Sequence, residues 1–199
     1  MINYWFPTGI YHSIYSKHAD LKKELLKMLP SSLPTTEVGQ VDGWPFWIKQ
    51  NKIGFINPLA SSSTAVDKFS NWIVNQVTEF SKHYNSTASY KIEQCWANIY
   101  QKGDFQEPHI HPTFDFSAVY FVSIPPNSGK LIFENSLATS DMRPIKVSQE
   151  TELNSTRAVY APIEGQLVVF RSNLRHAVLP HNNTEPRISL AFNLRECGQ

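Results

Sequence analysis

The sequence predicts an α+β protein, mainly β, with its helices first and its strands second. Three observations carry this. Two segments in the first half place apolar residues at helical spacing. From Tyr90 onward the period shortens to that of strands. Short runs rich in β-branched and aromatic residues then recur, separated by turn residues, as in a sandwich or barrel.

The first helix is expected over residues 17–29, "KHADLKKELLKML", where Leu21, Leu25, Met28 and Leu29 form one stripe and Pro30 ends it. Lys17, Lys22, Lys23 and Lys27 read as its solvated face. Residues 30–64 are rich in Pro, Ser, Thr and Gly. With "GWPFWI" and "GFINP" they read as irregular structure holding one or two short strands. A second amphipathic helix is expected over 65–84, with Val66, Phe69, Ile73, Val77 and Phe80 on its buried stripe. Strands follow in "YKIEQCWANIYQ", "FSAVYFVSIP", "KLIFEN", "RAVYAP", "GQLVVFRS" and "RISLAFNLR". Lys102-Gly103-Asp104, Pro125 to Gly129, Glu164-Gly165 and His181 to Thr184 supply turns. No repeat, low-complexity tract or linker interrupts the chain, so residues 1–199 are expected to form a single domain.

The 199 residues suffice for one sizeable core, and 41% hydrophobic with 18% charged residues is ordinary for a globular chain. A net charge of +1 gives no electrostatic case for nucleic acid. No stretch approaches a membrane span, and "MINYWFPTGIYHSIYSKH" lacks the pattern of a signal peptide. Cys95 and Cys197 make neither a disulfide framework nor a zinc ribbon, so a cytoplasmic setting is expected. Without secretion, Asn85-Ser-Thr, Asn154-Ser-Thr and Asn182-Asn-Thr are chance matches to the glycosylation pattern.

The chemistry concentrates in "EPHIHPTFDFSAVYF". His109 and His111 stand at i and i+2, which in a strand aims two imidazoles at one point, a chelate that needs a third ligand. A lone pair of this kind is often a surface feature or a core histidine bonded to a carbonyl. His176 follows 65 residues after His111, beside the run Leu167–Phe170. Eleven residues further come Arg187 and, on the same face, Ser189. A guanidinium fork with an adjacent hydroxyl suits a carboxylate. Asp115 is expected to hold an imidazole N–H rather than to bind metal directly. His181 is expected in an exposed polar turn, Trp96 in the core, and His12, His18 and His83 away from any site.

His-x-His, a distant His and then Arg-x-Ser, with the segment "EGQLVVFRSNLRH", resemble the iron(II)/2-oxoglutarate-dependent oxygenases, in particular the prolyl-hydroxylase-like branch. The likeness covers Cys95 to Arg195. It implies a double-stranded β-helix, or jelly roll, over residues 90–199, with the helical and irregular residues 1–89 packed on one sheet. It implies Fe(II) and 2-oxoglutarate as cofactors, with His109, His111 and His176 as metal ligands and as the catalytic centre. Arg187 and Ser189 would hold the far carboxylate of 2-oxoglutarate. Asn98, Tyr100 and Tyr120 would be candidates to contact the cofactor or substrate. His111 stands where the family usually has Asp or Glu. The implied activity is hydroxylation of an unidentified small-molecule or peptide substrate, with a homodimer left open. Two other readings remain: a cupin-like metal enzyme without 2-oxoglutarate, and a non-enzymatic jelly-roll binding module.

Overall fold

The structure, a computed structural model, describes residues 7–28, 63–135 and 146–198. The strands expected within 30–64 lie outside the described residues. In chain order the elements are β1 (Ile10–Ile14), α1 (His18–Met28), α2 (Thr64–Lys82), β2 (Tyr90–Tyr100), β3 (Gln106–His109), β4 (Phe116–Ser123), β5 (Leu131–Glu134), β6 (Arg157–Tyr160), β7 (Gln166–Arg171), β8 (His176–Val178) and β9 (Arg187–Glu196).

The strands form two antiparallel sheets, one ordered β1-β7-β4-β9-β2 and the other β3-β8-β5-β6. Their facing sides meet in a cluster that joins Tyr100, Phe121, Val168 and Phe170 of the larger sheet to Leu131, Phe133 and Val178 of the smaller one. This is the jelly-roll arrangement. The six strand-like runs each become a strand. β1 was not foreseen: "IYHSI" alternates only weakly in burial, and it is held as an edge by pairing with β7, Ile10 opposite Phe170 and Ile14 opposite Gln166.

The helices cover the outer face of the larger sheet. The Ser63 side chain caps α2 by accepting from the Val66 N–H at 3.2 Å. The foreseen stripe Val66, Phe69, Ile73, Val77 and Phe80 is buried. It meets the outward-facing residues Cys95 and Ala97 of β2, Ala118 and Tyr120 of β4, and Leu190 and Phe192 of β9. Phe69 is fully buried, 4.6 Å from the Tyr120 ring and 5.3 Å from that of Tyr15. At the turn before β7, Gly165 has φ +77, and a side chain there would sit 3.0 Å from the His18 Cβ. That closeness lets α1 pack over the sheet edge.

Phe69 joins α2 to β4 and β9 through Tyr120 and Phe192, and to Tyr15 just past β1, so its removal tests whether the helices belong to the same cooperative unit as the sheets. Phe69→Ala should cost about 3–5 kcal/mol by loss of burial and creation of a cavity. Urea unfolding followed by circular dichroism reads this directly. A cost under about 1 kcal/mol would mean that α2 is not integral to the core.

Candidate active site

β3, the residues just after it, and β8 bring the three histidines together. His109, the last residue of β3, pairs in register with His176, the first of β8. His111 lies two residues past His109 and is tied down by its backbone N–H, which donates to Ser172 O at 2.9 Å. One ligand nitrogen from each of the three histidines lies within 4.8 Å of the others. The ring centroids are 4.3 Å apart for His109 and His176, 5.0 Å for His109 and His111, and 5.1 Å for His111 and His176.

Two backbone bonds fix which nitrogen each ring offers. His109 Nδ1–H donates to Glu107 O at 2.7 Å, and His176 Nδ1–H donates to Leu174 O at 2.9 Å. A carbonyl only accepts, so Nδ1 carries the proton and Nε2 keeps its lone pair. Burial, then the neighbouring imidazoles, hold His176 at a pKa of about 3 and His111 at about 4. Burial also lowers that of His109. All three rings are therefore neutral near pH 7, the form that ligates a metal.

The expected role of Asp115 is corrected. Its carboxylate accepts from Glu196 N–H at 2.8 Å and closes the end of β9. The carbonyls of Glu107 and Leu174 do the orienting in its place. Among the described residues no carboxylate joins the three-histidine group.

The histidines open onto a cavity of about 370 Å³ between the sheets. Its floor is the inner face of β9 and β2, where Arg187 pairs with Tyr100, Ser189 with Asn98, and Asn193 with Gln94. Arg187 is 0% exposed. Its Nη1 donates to Ser189 Oγ at 3.1 Å, and its guanidinium lies 4.8 Å from the Tyr100 ring centroid and 5.3 Å from that of Phe121. Nε and Nη2 are buried without any hydrogen-bond partner. Burial lowers the Arg187 pKa, with the nearby Tyr100 phenol opposing.

The expected site residues divide. Asn98, Tyr100, Arg187 and Ser189 line the same cavity as the histidines. Tyr120 does not: it lies on the helix side of β4, fully buried, with its hydroxyl 2.8 Å from His18 Nδ1. Trp96, expected in the core, lines the cavity, its ring centroid 5.7 Å from that of His111. His181, expected exposed, is buried, because its Nε2–H donates to Glu185 O at 2.7 Å and its backbone pairs with Gly103 and Asp104. Gln94, Ser117 and Asn193 also line the cavity and were not foreseen. The signal was present as a polar stripe at every second position of β2: Gln94, Trp96, Asn98 and Tyr100.

A family model described as "Putative 2OG-Fe(II) oxygenase" matches residues 94–193, just over half of the chain, and the protein belongs to that family. The family's cofactors are Fe(II) and 2-oxoglutarate. No curated protein matches the sequence. Among solved structures, AviO1 from Streptomyces viridochromogenes is similar at TM-score 0.62 and 14% identity, over 95% of this chain and 90% of that one. A prolyl-4-hydroxylase from Pseudomonas putida is similar at TM-score 0.56 and 18% identity, over 96% and 89%. HygX from Streptomyces hygroscopicus, with nickel and 2-oxoglutarate bound, is similar at TM-score 0.56 and 10% identity, over 94% and 83%. At these identities the likeness is one of fold. No helix among the described residues is long and apolar enough to cross a membrane.

The donor set fits both cofactors. Three imidazole lone pairs converge and suit a divalent iron. Two unpartnered guanidinium N–H groups beside a hydroxyl suit a carboxylate.

The lowered histidine pKa values have a consequence for stability. Unfolded imidazoles titrate near 6.5, so between that pH and about 4, then 3, the unfolded chain binds protons that the folded metal-free chain refuses. Stability is full above about pH 6.5 and falls as pH drops. Urea unfolding of metal-free protein between about pH 7 and pH 5 should show the decline. His176→Asn should flatten it by up to one proton, roughly 1.4 kcal/mol per pH unit. Equal slopes in parent and variant would show that His176 titrates normally.

Proposed function

We propose that the protein is an Fe(II)/2-oxoglutarate-dependent dioxygenase that hydroxylates a C–H bond of a small-molecule or peptide substrate, with His109, His111 and His176 holding the metal. The observation that carries this reading is Arg187. A fully buried guanidinium faces the same cavity as the three histidines and keeps two donors unsatisfied. Isolated buried charge is costly, and a carboxylate ligand offsets that cost. A cupin-like enzyme without 2-oxoglutarate, or a jelly roll that merely binds, gives these donors no purpose.

In this reading a bound iron would activate dioxygen, with 2-oxoglutarate as the reductant: one oxygen atom would go to the substrate C–H bond and the other to succinate, with release of CO2. The chain does the rest. Arg187 and Ser189 grip the far carboxylate, and Tyr100 and Phe121 keep water from the guanidinium. Asn98, opposite Ser189 in register, supplies a further polar contact to the cofactor. The Glu107 and Leu174 carbonyls hold His109 and His176 with Nε2 facing inward. The sheets surround the reacting centre and fix its distance from the bound C–H group. Residues 1–89 and 90–199 would fold as one domain. Free Cys95 and Cys197 suit a reducing cytosol.

Two experiments test the proposal. First, metal binding should depend on the triad: anaerobic Fe(II) titration should give one iron per chain, and His176→Ala should abolish it. Unchanged iron content in that variant would refute the ligand set. Second, Arg187→Ala should raise the 2-oxoglutarate dissociation constant by on the order of 10–1000-fold, equivalent to roughly 1.5–4 kcal/mol for a buried charge pair. Arg187→Lys should recover only a fraction of this, because a point charge replaces the fork. Iron affinity without 2-oxoglutarate should change little. The weak visible band of the iron–2-oxoglutarate chelate, or calorimetry, reads both constants, and equal affinities in parent and Arg187→Ala would eliminate 2-oxoglutarate.

A further inference from the structure

The end of the cavity away from Arg187 carries a second polar system. Gln94 of β2, Asn193 of β9 and Ser117 of β4 stand side by side in register across three adjacent strands. Ser172, just past β7, continues the row. Ser172 and Ser117 Oγ are 2.8 Å apart, Ser117 Oγ donates to Asn193 Oδ1 at 2.9 Å, and Asn193 Nδ2 donates to Gln94 Oε1 at 2.9 Å. Ser117, Ser172 and Asn193 are at most 2% exposed.

The row ends on Gln94. Its carbonyl oxygen is engaged by Asn193, and its Nε2 meets no partner among the described residues. Two N–H donors are therefore left at the one member of the row that is only half-buried and borders the cavity. Backbone irregularity puts them there. Ile92 packs against the helix-side core, and strict alternation would send Gln94 to that side too. The register shifts between Ile92 and Gln94, from pairing with Leu194 to pairing with Asn193, and the shift turns Gln94 to the cavity. Beside it Trp96 gives a broad apolar wall next to His111. Among the described residues Arg187 is the only Asp, Glu, Lys or Arg that lines the cavity, and it lies six residues from Asn193 along β9, roughly 20 Å in an extended strand.

We propose that this row is the substrate-recognition end of the site and that it takes an uncharged group bearing a carbonyl, such as a carboxamide, with an adjoining apolar portion against Trp96. The inference rests on the reading above, in which 2-oxoglutarate fills the Arg187 end. Gln94 donates to the carbonyl oxygen. Asn193, Ser117 and Ser172 are positioning residues that hold the Gln94 amide with its oxygen turned inward. Neutrality follows from the wall: an ammonium or carboxylate brought here would lose its water and meet no side chain of opposite charge among the described residues, while the metal's charge is offset by 2-oxoglutarate.

Three aromatic probes of nearly equal size separate the possibilities: benzamide, benzoate and benzylammonium. The protein is loaded with zinc(II), which supports no turnover, and with 2-oxoglutarate. Affinity is measured by calorimetry in parent and variants, and in the parent the contact is located through the side-chain amide signals of glutamine-labelled protein. Benzamide should shift the Gln94 signals, while benzoate and benzylammonium should leave them in place. Gln94→Glu keeps the shape and the Asn193 bond but loses the outward donors, and it should weaken benzamide about 5–10-fold, as for one lost hydrogen bond. Gln94→Leu should do the same. Both variants should bind zinc and 2-oxoglutarate as the parent does. Equal benzamide affinity in parent and variants, or preferred binding of either charged probe, would overturn the proposal. So would a loss of 2-oxoglutarate affinity on changing Gln94, which would assign the residue to the cofactor. Failure of the oxygenase reading shows itself separately, as parent protein that binds neither metal nor 2-oxoglutarate while benzamide still depends on Gln94.

Discussion

A cation with no counter-charge among the described residues, at the floor of the cavity, is the constraint on which the rest of the site depends. Arg187 sits on β9, between β4 and β2, where its side chain is fully buried. Lysine and arginine at surfaces bury their stems and keep their heads in water; here the head itself is buried. Its partial compensation comes from the faces of Tyr100 and Phe121 and from the Ser189 hydroxyl. These orient the guanidinium without neutralising it. The two open N–H groups point to an anion that completes the site, and the cavity leaves room for one.

Strand alternation makes that arrangement inseparable from the core. On β9, Ile188, Leu190, Phe192 and Leu194 pack toward the helices, while Arg187, Ser189, Ala191 and Asn193 face the cavity. A slip of one residue would exchange the two sets, putting a guanidinium into the helix interface and four large apolar side chains into the cavity. The stripe of α2 therefore does more than stabilise. By demanding the apolar set of β9, it dictates which face carries the chemistry. The smaller sheet contributes the opposing wall, and the register of β3 with β8 brings His109 beside His176.

Much of this was legible from residue order. The stripe on α2 and the six strand runs follow from spacing, and the grouping of His109, His111, His176, Arg187 and Ser189 from spacing read together with the family resemblance. Where the reading missed, burial on both sides of a strand was the cause. β4 is nearly all buried, so its pattern does not say which face meets the cavity, and Tyr120 was placed on the wrong one. On β2 the polar residues at alternate positions marked the cavity face, yet the bulk of Trp96 argued for the core. His181 sits among polar neighbours that suggest exposure, but long-range backbone pairing with the 103–104 turn draws it inside. The strand β1 is specified by its partner β7 rather than by its own sequence.

The histidine at position 111 alters the charge of the site as well as its shape. Three neutral imidazoles bring no negative charge to a divalent metal, whereas a carboxylate in one of the three places would bring one. In the proposed reading a dication held there would gain most of its compensation from the dianion of 2-oxoglutarate, whose far end would meet Arg187. Each ligand lowers the cost of placing the other in a buried cavity, since either alone leaves charge poorly paired. Coupling between two ligands is reciprocal, so in that reading 2-oxoglutarate would strengthen metal binding by the same factor that metal would strengthen 2-oxoglutarate binding. In that reading Arg187 would be connected to the metal without touching it: it would fix one end of the anion whose other end offsets the charge that the three histidines leave in place.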